Sequence, residues 1–211
     1  MTARTFLVLL LSVFLLAACT VGKNVANGPG KEAAVAQAKL NATYLDPERS
    51  ILPAEKLVRL EEAGGLSFYP ISGAYRVVAD FRRYTEPEVV KFKTSSTRMV
   101  EYAVFGLATF ELKGETHRLT LYKSTRANLP PEYRNAMFLP FRDLTSGKDT
   151  YGGGRYLDIQ IPVGDELVID FNQAYHPYCA YTDGYSCPVV PAVNHLKTEI
   201  MAGIRSVDLG D

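Results

Sequence analysis

RMVEYAVFGLATFELKGETHRLTLYK, running from Arg98 to Lys123, sets out the architecture of the chain in miniature. Runs rich in Val, Tyr, Phe, Thr and Leu predict strands over Arg98–Phe105, Ala108–Leu112 and His117–Lys123. Lys113-Gly114, midway between Glu111 and His117, predicts the tight turn of a hairpin. The same texture extends outward in both directions, with further strands expected at Tyr75–Asp80, Val89–Lys93, Ala136–Phe141, Tyr156–Ile161, Leu167–Asn172 and His195–Ile200. Short strands broken by Gly and Pro, without helices between them, imply a mainly β fold: an antiparallel β-sandwich or a partly closed barrel. One or two short N-terminal helices precede the β region. Lys31–Ala42 is rich in Ala, Lys and Gln, and Pro53–Ala63 has an early Pro, apolar Leu57, Val58 and Leu60, and Gly64-Gly65 as a stop. The apolar stripe of the second helix suggests a lid against a sheet.

The first residues carry a different message. One Arg is followed by an apolar run from Phe6 to Leu16, then Ala17, Ala18 and Cys19. The run is short of the roughly 20 residues that a membrane-crossing helix needs, and it ends in the small residues of a cleavage site. Residues 1–18 therefore read as a lipoprotein signal peptide, with Cys19 as the lipidated residue that ties the chain to a membrane. An ordinary secretory leader with a chance Cys is the competing reading. Thr20 stands where Asp would retain a Gram-negative lipoprotein in the inner membrane, so the expected destination is the outer membrane, facing the periplasm. Residues 19–30, with Gly22, Gly28, Pro29 and Gly30, read as a flexible tether, and 31–211 as a single β-rich domain.

Lys plus Arg and Asp plus Glu both number 23, which leaves no basic field for nucleic acid. Besides Cys19 the thiols are Cys179 and Cys187 alone, and in an exported chain two close cysteines are expected to form a disulfide. Closing that loop contributes about 2.6 kcal/mol on the chain-entropy model.

Charge and backbone freedom concentrate between Pro140 and Asn172. Arg142 and Asp143 flank a turn, Tyr151 precedes the triplet Gly152–Gly154, and Arg155 follows. Guanidinium forks beside glycines that permit close backbone approach suit a clamp for carboxylate or phosphate. The alternative is an internal pairing of Arg142 or Arg155 with Asp143, Asp149 or Asp170. Asp170 and Asn172 close the apolar run LVIDFN, and alternation places both on one face. A core-facing Asp170 needs a partner, for which Arg155 is the candidate, or a shifted pKa that could serve a general base.

FRDLTSGKDTYGGGRYLD, DFNQAYHPYCA and CPVVPAVNHL, with the earlier GGLSFYP, together resemble the bacterial domain family of unknown function numbered 1684, over about Ala63 to Arg205. The resemblance implies that Arg142, Asp143, Tyr151, Arg155, Asp170, Asn172, Cys179, Cys187, Pro188 and Asn194 occupy the family's signature positions. It implies no activity. Two positions depart from the family pattern: His176 stands in place of Asn, and Ile204 in place of a Glu, so no acid role attaches to the latter.

Other chemistry is weakly signalled. His176, Cys179, Cys187 and His195 could compose a zinc set, but the spacing is loose and exported thiols oxidise, so no metal and no cofactor is expected. Ser146 and Ser186 lack a nucleophile-elbow motif, with His117, His176 and His195 as the candidate bases, and the glycine triplet lacks the Lys and hydroxyl residue of a phosphate loop. Tyr175, Tyr178, Tyr181 and Tyr185 crowd the cysteines and could form a stacking or partner surface, or pack within the loop. The expectation is a lipid-anchored envelope domain that binds a small polar or anionic ligand, or an envelope partner, through Arg142, Asp143, Tyr151, Arg155, Asp170 and Asn172. The alternatives are a hydrolase that uses Asp143 or Asp170, and a purely structural lipoprotein.

Overall fold

The structure, a computed structural model, describes residues 28–210. The expected signal peptide, Cys19 and residues 19–27 of the tether lie outside them. Two helices lead: α1 (Pro29–Leu45) and α2 (Ala54–Glu62). Seven strands follow: β1 (Arg76–Arg83), β2 (Val89–Lys93), β3 (Met99–Leu112), β4 (Glu115–Ser124), β5 (Ala136–Phe141), β6 (Arg155–Gln160) and β7 (Glu166–Asp170). They form one antiparallel sheet in the order β6-β5-β4-β3-β1-β7, with β2 beside the first half of β3. The sheet curls into a half-barrel, so the fold is the partly closed barrel rather than the sandwich. β6 and β7 are joined by the short turn 161–165 yet lie at opposite ends of the strand order, and the curl brings those ends together without pairing them.

The hairpin turn falls where the sequence places it. Leu112 pairs with Glu115, and Lys113 and Gly114 both take positive φ (54° and 79°), the backbone of a two-residue hairpin loop. The two strands expected at 98–105 and 108–112 are one strand. A bulge between Val104 and Gly106 bends it where β1 crosses closely, and a Cβ on Gly106 would sit 2.6 Å from the Phe81 ring and 2.7 Å from the Arg82 carbonyl. The bulge also changes which side chains face inward. Ahead of it, Tyr102 and Val104 share the outer face with Tyr122; beyond it, Gly106 and Ala108 share the inner face with Leu121 and Leu119.

The inner face holds the main core, including Phe81, Phe110, Leu119, Leu121, Leu139, Ile169 and Phe171. Residues 195–200 are not a strand. Burial alternates as in a strand, with Leu196 and Ile200 buried, Thr198 half-buried and His195, Lys197 and Glu199 exposed, but among the described residues the only ladder contact is an isolated parallel bridge between His195 and Arg142. The segment is a strap across the core whose backbone bonds to Arg142, Leu144 and the side chain of Asp143. α2 does not lid the sheet either. Leu60 packs with Tyr44, Leu52, Leu66, Tyr181, Ile204 and Leu209 in a second, smaller cluster between the helices and the C-terminal end of the domain. β7 ends at Asp170, whose carboxylate caps the 3-10 turn Phe171–Gln173 by accepting the Asn172 N–H, so Asn172 lies beyond the strand. Pro29 and Gly30, assigned to the tether from sequence, already belong to α1, with Pro in the first turn where its missing N–H costs nothing.

Candidate functional site

Of the six residues singled out in the sequence, Asp143 and Arg155 meet. β5 delivers Asp143 just after its end and β6 starts with Arg155, and their side chains form an ion pair of 3.2 Å with neither exposed. The remaining Asp143 acceptor capacity is taken by the Thr145 hydroxyl (2.9 and 3.0 Å), the Ser146 hydroxyl (3.3 Å) and the Ile200 N–H (2.7 Å). Arg155 donates to the carbonyls of Ile200 (2.8 Å) and Ala202 and stacks on Phe141, 5.1 Å from the ring centre. Burial lowers the guanidinium pKa and Asp143 opposes that shift. The pair is a latch that fastens the strap to the sheet. Gly154 serves the same closure: it has φ 97°, and a Cβ there would lie 2.6 Å from the Phe141 carbonyl.

The other four are placed elsewhere. Asp170 is not the partner of Arg155; it accepts from the Asn172 side chain (2.7 Å) and from Gln173 (3.1 Å). The Asn172 side-chain amide bonds both ways with the Ser72 backbone (2.9 and 3.0 Å), and the Asn172 backbone carbonyl accepts from Gln37 of α1 (2.8 Å). Asp170 also borders an open concavity of about 380 Å³ between β6 and β7, where Glu32, Glu166 and Asp158 make the lining unfavourable for an anion despite Arg76. The Tyr151 N–H donates to Nε2 of His176 (3.1 Å). His176 is buried, and its pKa is lowered to about 3, by burial first and by the Arg155 charge second, so its ring is neutral. Arg142 is half-buried and pairs through its backbone with the strap. These residues do not converge on one open concavity, and both carboxylate oxygens of Asp143 are taken up by internal donors.

Cys179 and Cys187 are joined as a disulfide, which removes both thiols from the zinc set. Among the described residues no group of three or more His, Cys, Asp or Glu is arranged to hold a metal. Ser146 bonds Asp143, and Ser186 pairs with Ser96 (2.7 Å). The loop tyrosines divide. Tyr181 is buried against Tyr44 (4.9 Å), Tyr178 packs on Tyr185 (4.9 Å), and the Tyr175 hydroxyl donates to Asp158 (2.6 Å).

That last bond leads to an open site on the outer face of the sheet. Phe92, Tyr102, Tyr122, Phe138 and Tyr156, one from each of β2 to β6, form a continuous ring cluster there, with centroid separations of 5.0 Å for Phe92–Tyr102, 4.7 Å for Phe92–Tyr122, 5.2 Å for Tyr102–Phe138 and 4.8 Å for Phe138–Tyr156. The disulfide loop closes over one end: Pro188 bridges to Thr94, the Tyr156 hydroxyl donates to the Pro188 carbonyl, and Ser95 and Cys187 exchange hydrogen bonds. Beside it lies a cleft of about 290 Å³, lined by Tyr102, Phe138, Tyr133, Asp158, Arg126 and Ser186. Burial raises the Asp158 pKa and the Tyr175 hydrogen bond pulls it back. Sequence reading missed the cleft although a signal exists: AMFLPF in β5 is apolar on both faces, which a strand needs only when both faces are covered.

The family model described as "Protein of unknown function (DUF1684)" matches residues 62–205. The solution NMR structure of an uncharacterized protein of Haloarcula marismortui is 32% identical, covers 84% of this chain and 94% of its own, and superposes with a TM-score of 0.65. The structural likeness is wider than the family match, so part of the N-terminal helical segment belongs to the shared fold. No curated protein matches the chain.

Proposed function

We propose, for a chain that belongs to the DUF1684 family of proteins of unknown function, a recognition role: a lipid-anchored domain of the cell envelope that binds a small polar or anionic ligand. The envelope location rests on the leader and Cys19, and a disulfide between the other two cysteines suits an oxidising compartment. One observation carries the ligand reading. The outer-face cleft combines an aromatic wall, Tyr102 stacked on Phe138, with the guanidinium of Arg126, which is in none of the ion pairs among the described residues. A concave, mostly apolar surface with a few polar groups is the usual form of a small-ligand site. The anion clamp expected at Arg142 and Arg155 thereby moves to Arg126.

The test is thermal unfolding of the purified protein with a panel of small organic anions. A ligand at 100 times its Kd raises stability by about 2.7 kcal/mol, and Arg126→Ala should abolish the gain. No stabilisation by any member, or equal stabilisation in the variant, removes the reading. A purely structural role has its own support in the sealed Asp143–Arg155 latch, and it gains if the panel is silent.

A further inference from the structure

The cleft holds opposite charges that are not spent on each other. Asp158 stands on β6 with its Oδ2 bonded to the Tyr175 hydroxyl, and Arg126 lies just past the end of β4. Arg98, just before β3, borders an adjoining concavity that shares Val100 and Arg126 with the cleft. The ion pairs among the described residues are Arg49–Asp46, Lys91–Glu101 and Arg155–Asp143, so neither arginine is ion-paired with Asp158. The Tyr102 ring lines the same cleft as Asp158 and Arg126. Its hydroxyl pKa is raised by burial, drawn down by Arg126 and Arg98, and pushed up by Asp158, which puts all three groups within electrostatic reach of one phenol.

A purely anionic ligand would meet Asp158 as a repulsion, and a purely cationic one would meet Arg126. Unpaired charges of both signs in one cleft with aromatic walls complement a molecule that carries both. An ammonium beside Asp158 gains a charge-assisted bond and lies against the aromatic wall of Tyr102 and Phe138, where the ring quadrupole favours cations. A phosphate or carboxylate at the other end meets the guanidinium fork of Arg126, with Arg98 at the mouth. We infer that the ligand of this cleft is a small zwitterion, an alkylammonium carrying a phosphate or carboxylate, as a free molecule or a lipid headgroup. The inference rests on the recognition reading of the same cleft.

Calorimetric titration of the purified protein compares phosphoethanolamine with inorganic phosphate and with ethylamine. Phosphoethanolamine should bind roughly tenfold or more tightly than either half, the scale of one charge-assisted contact. Asp158→Asn should reduce its affinity to that of phosphate, and Arg126→Ala to that of ethylamine, with thermal unfolding confirming that both variants are folded. Flotation with phosphatidylethanolamine vesicles but not phosphatidylglycerol vesicles identifies the headgroup source; binding of free phosphoethanolamine without flotation identifies a soluble one. Phosphate that binds the wild type as tightly as phosphoethanolamine, or an Asp158→Asn variant with unchanged affinity, overturns the zwitterion while leaving anion recognition intact. No heat from any of the three probes also overturns it, and the anion panel then decides the broader reading separately.

Discussion

Replacing Arg155 with Met keeps most of the side-chain volume while removing the charge and every donor from a position with no solvent exposure. Asp143 would be left as a buried carboxylate without its cation, and the carbonyls of Ile200 and Ala202 would lose their side-chain donor. Breaking one partner of a buried ion pair costs about 3–5 kcal/mol, and an orphaned buried acceptor about 1–3 kcal/mol, with the two overlapping because they share one guanidinium. We predict a loss of about 4 kcal/mol, a large share of the 5–15 kcal/mol typical of a domain, and a fall in Tm of roughly 8–16 °C at this size. Urea unfolding monitored by tyrosine fluorescence measures it, and amide exchange should show Ile200 and its neighbours losing protection first. The double variant Asp143→Leu/Arg155→Met should recover part of the loss, because the pair's value lies in mutual compensation. A single-variant loss under about 1 kcal/mol, or unchanged exchange along the strap, would refute the latch as a principal fastening of the fold.

Two further outcomes follow from buried groups. His176 has a folded pKa of about 3 against an unfolded value near 6.5, so its contribution is present above pH 6.5 and is lost as the pH falls toward 3. The slope is about 1.4 kcal/mol per pH unit in that window, and His176→Asn should flatten it in unfolding curves taken at pH 4.5 and 7; an unchanged slope would contradict a neutral buried ring. Reduction of Cys179–Cys187, or the Cys179→Ser/Cys187→Ser variant, should lower stability by about 2.6 kcal/mol in denaturant titrations. It should also weaken any ligand of the outer cleft, since Ser186 lines that cleft from within the bridged loop; intact affinity after reduction would separate the loop from the site.

Local signals were legible where one residue's backbone preference decides the outcome. Lys113-Gly114 marked its turn, and Val89–Lys93 and Ala136–Phe141 became strands with the bounds that their apolar runs suggest. Gly106 was misread as a break because the residue that ends one strand and the residue that admits a crossing neighbour are both glycine. The 195–200 segment shares β-type composition with the strands, but its carbonyls and N–H groups bond to the irregular chain just past β5 at Arg142 and Leu144 and to the side chains of Asp143 and Arg155, and composition does not reveal such partners. The chemistry of Asp143 and Arg155 was visible as polar residues beside a glycine run. Their mutual burial was not, because it depends on the strap, some 45 residues beyond Arg155, folding back over them. The cleft was hidden for the opposite reason: Tyr102, Phe138 and Asp158 are unremarkable strand residues until five strands line them up.

Contacts between the two helices and the chain that follows β7 make this a fold of distant acquaintances. Arg59 of α2 donates to the carbonyl of Leu209, 150 positions further on, and Gln37 of α1 reaches Asn172 across 135. Loops of that length must close before such contacts return any free energy, and chains dominated by them fold on millisecond-to-second timescales rather than in microseconds. Both helices rest partly on residues supplied by the far end of the domain, so their seats are complete only when that end is in place.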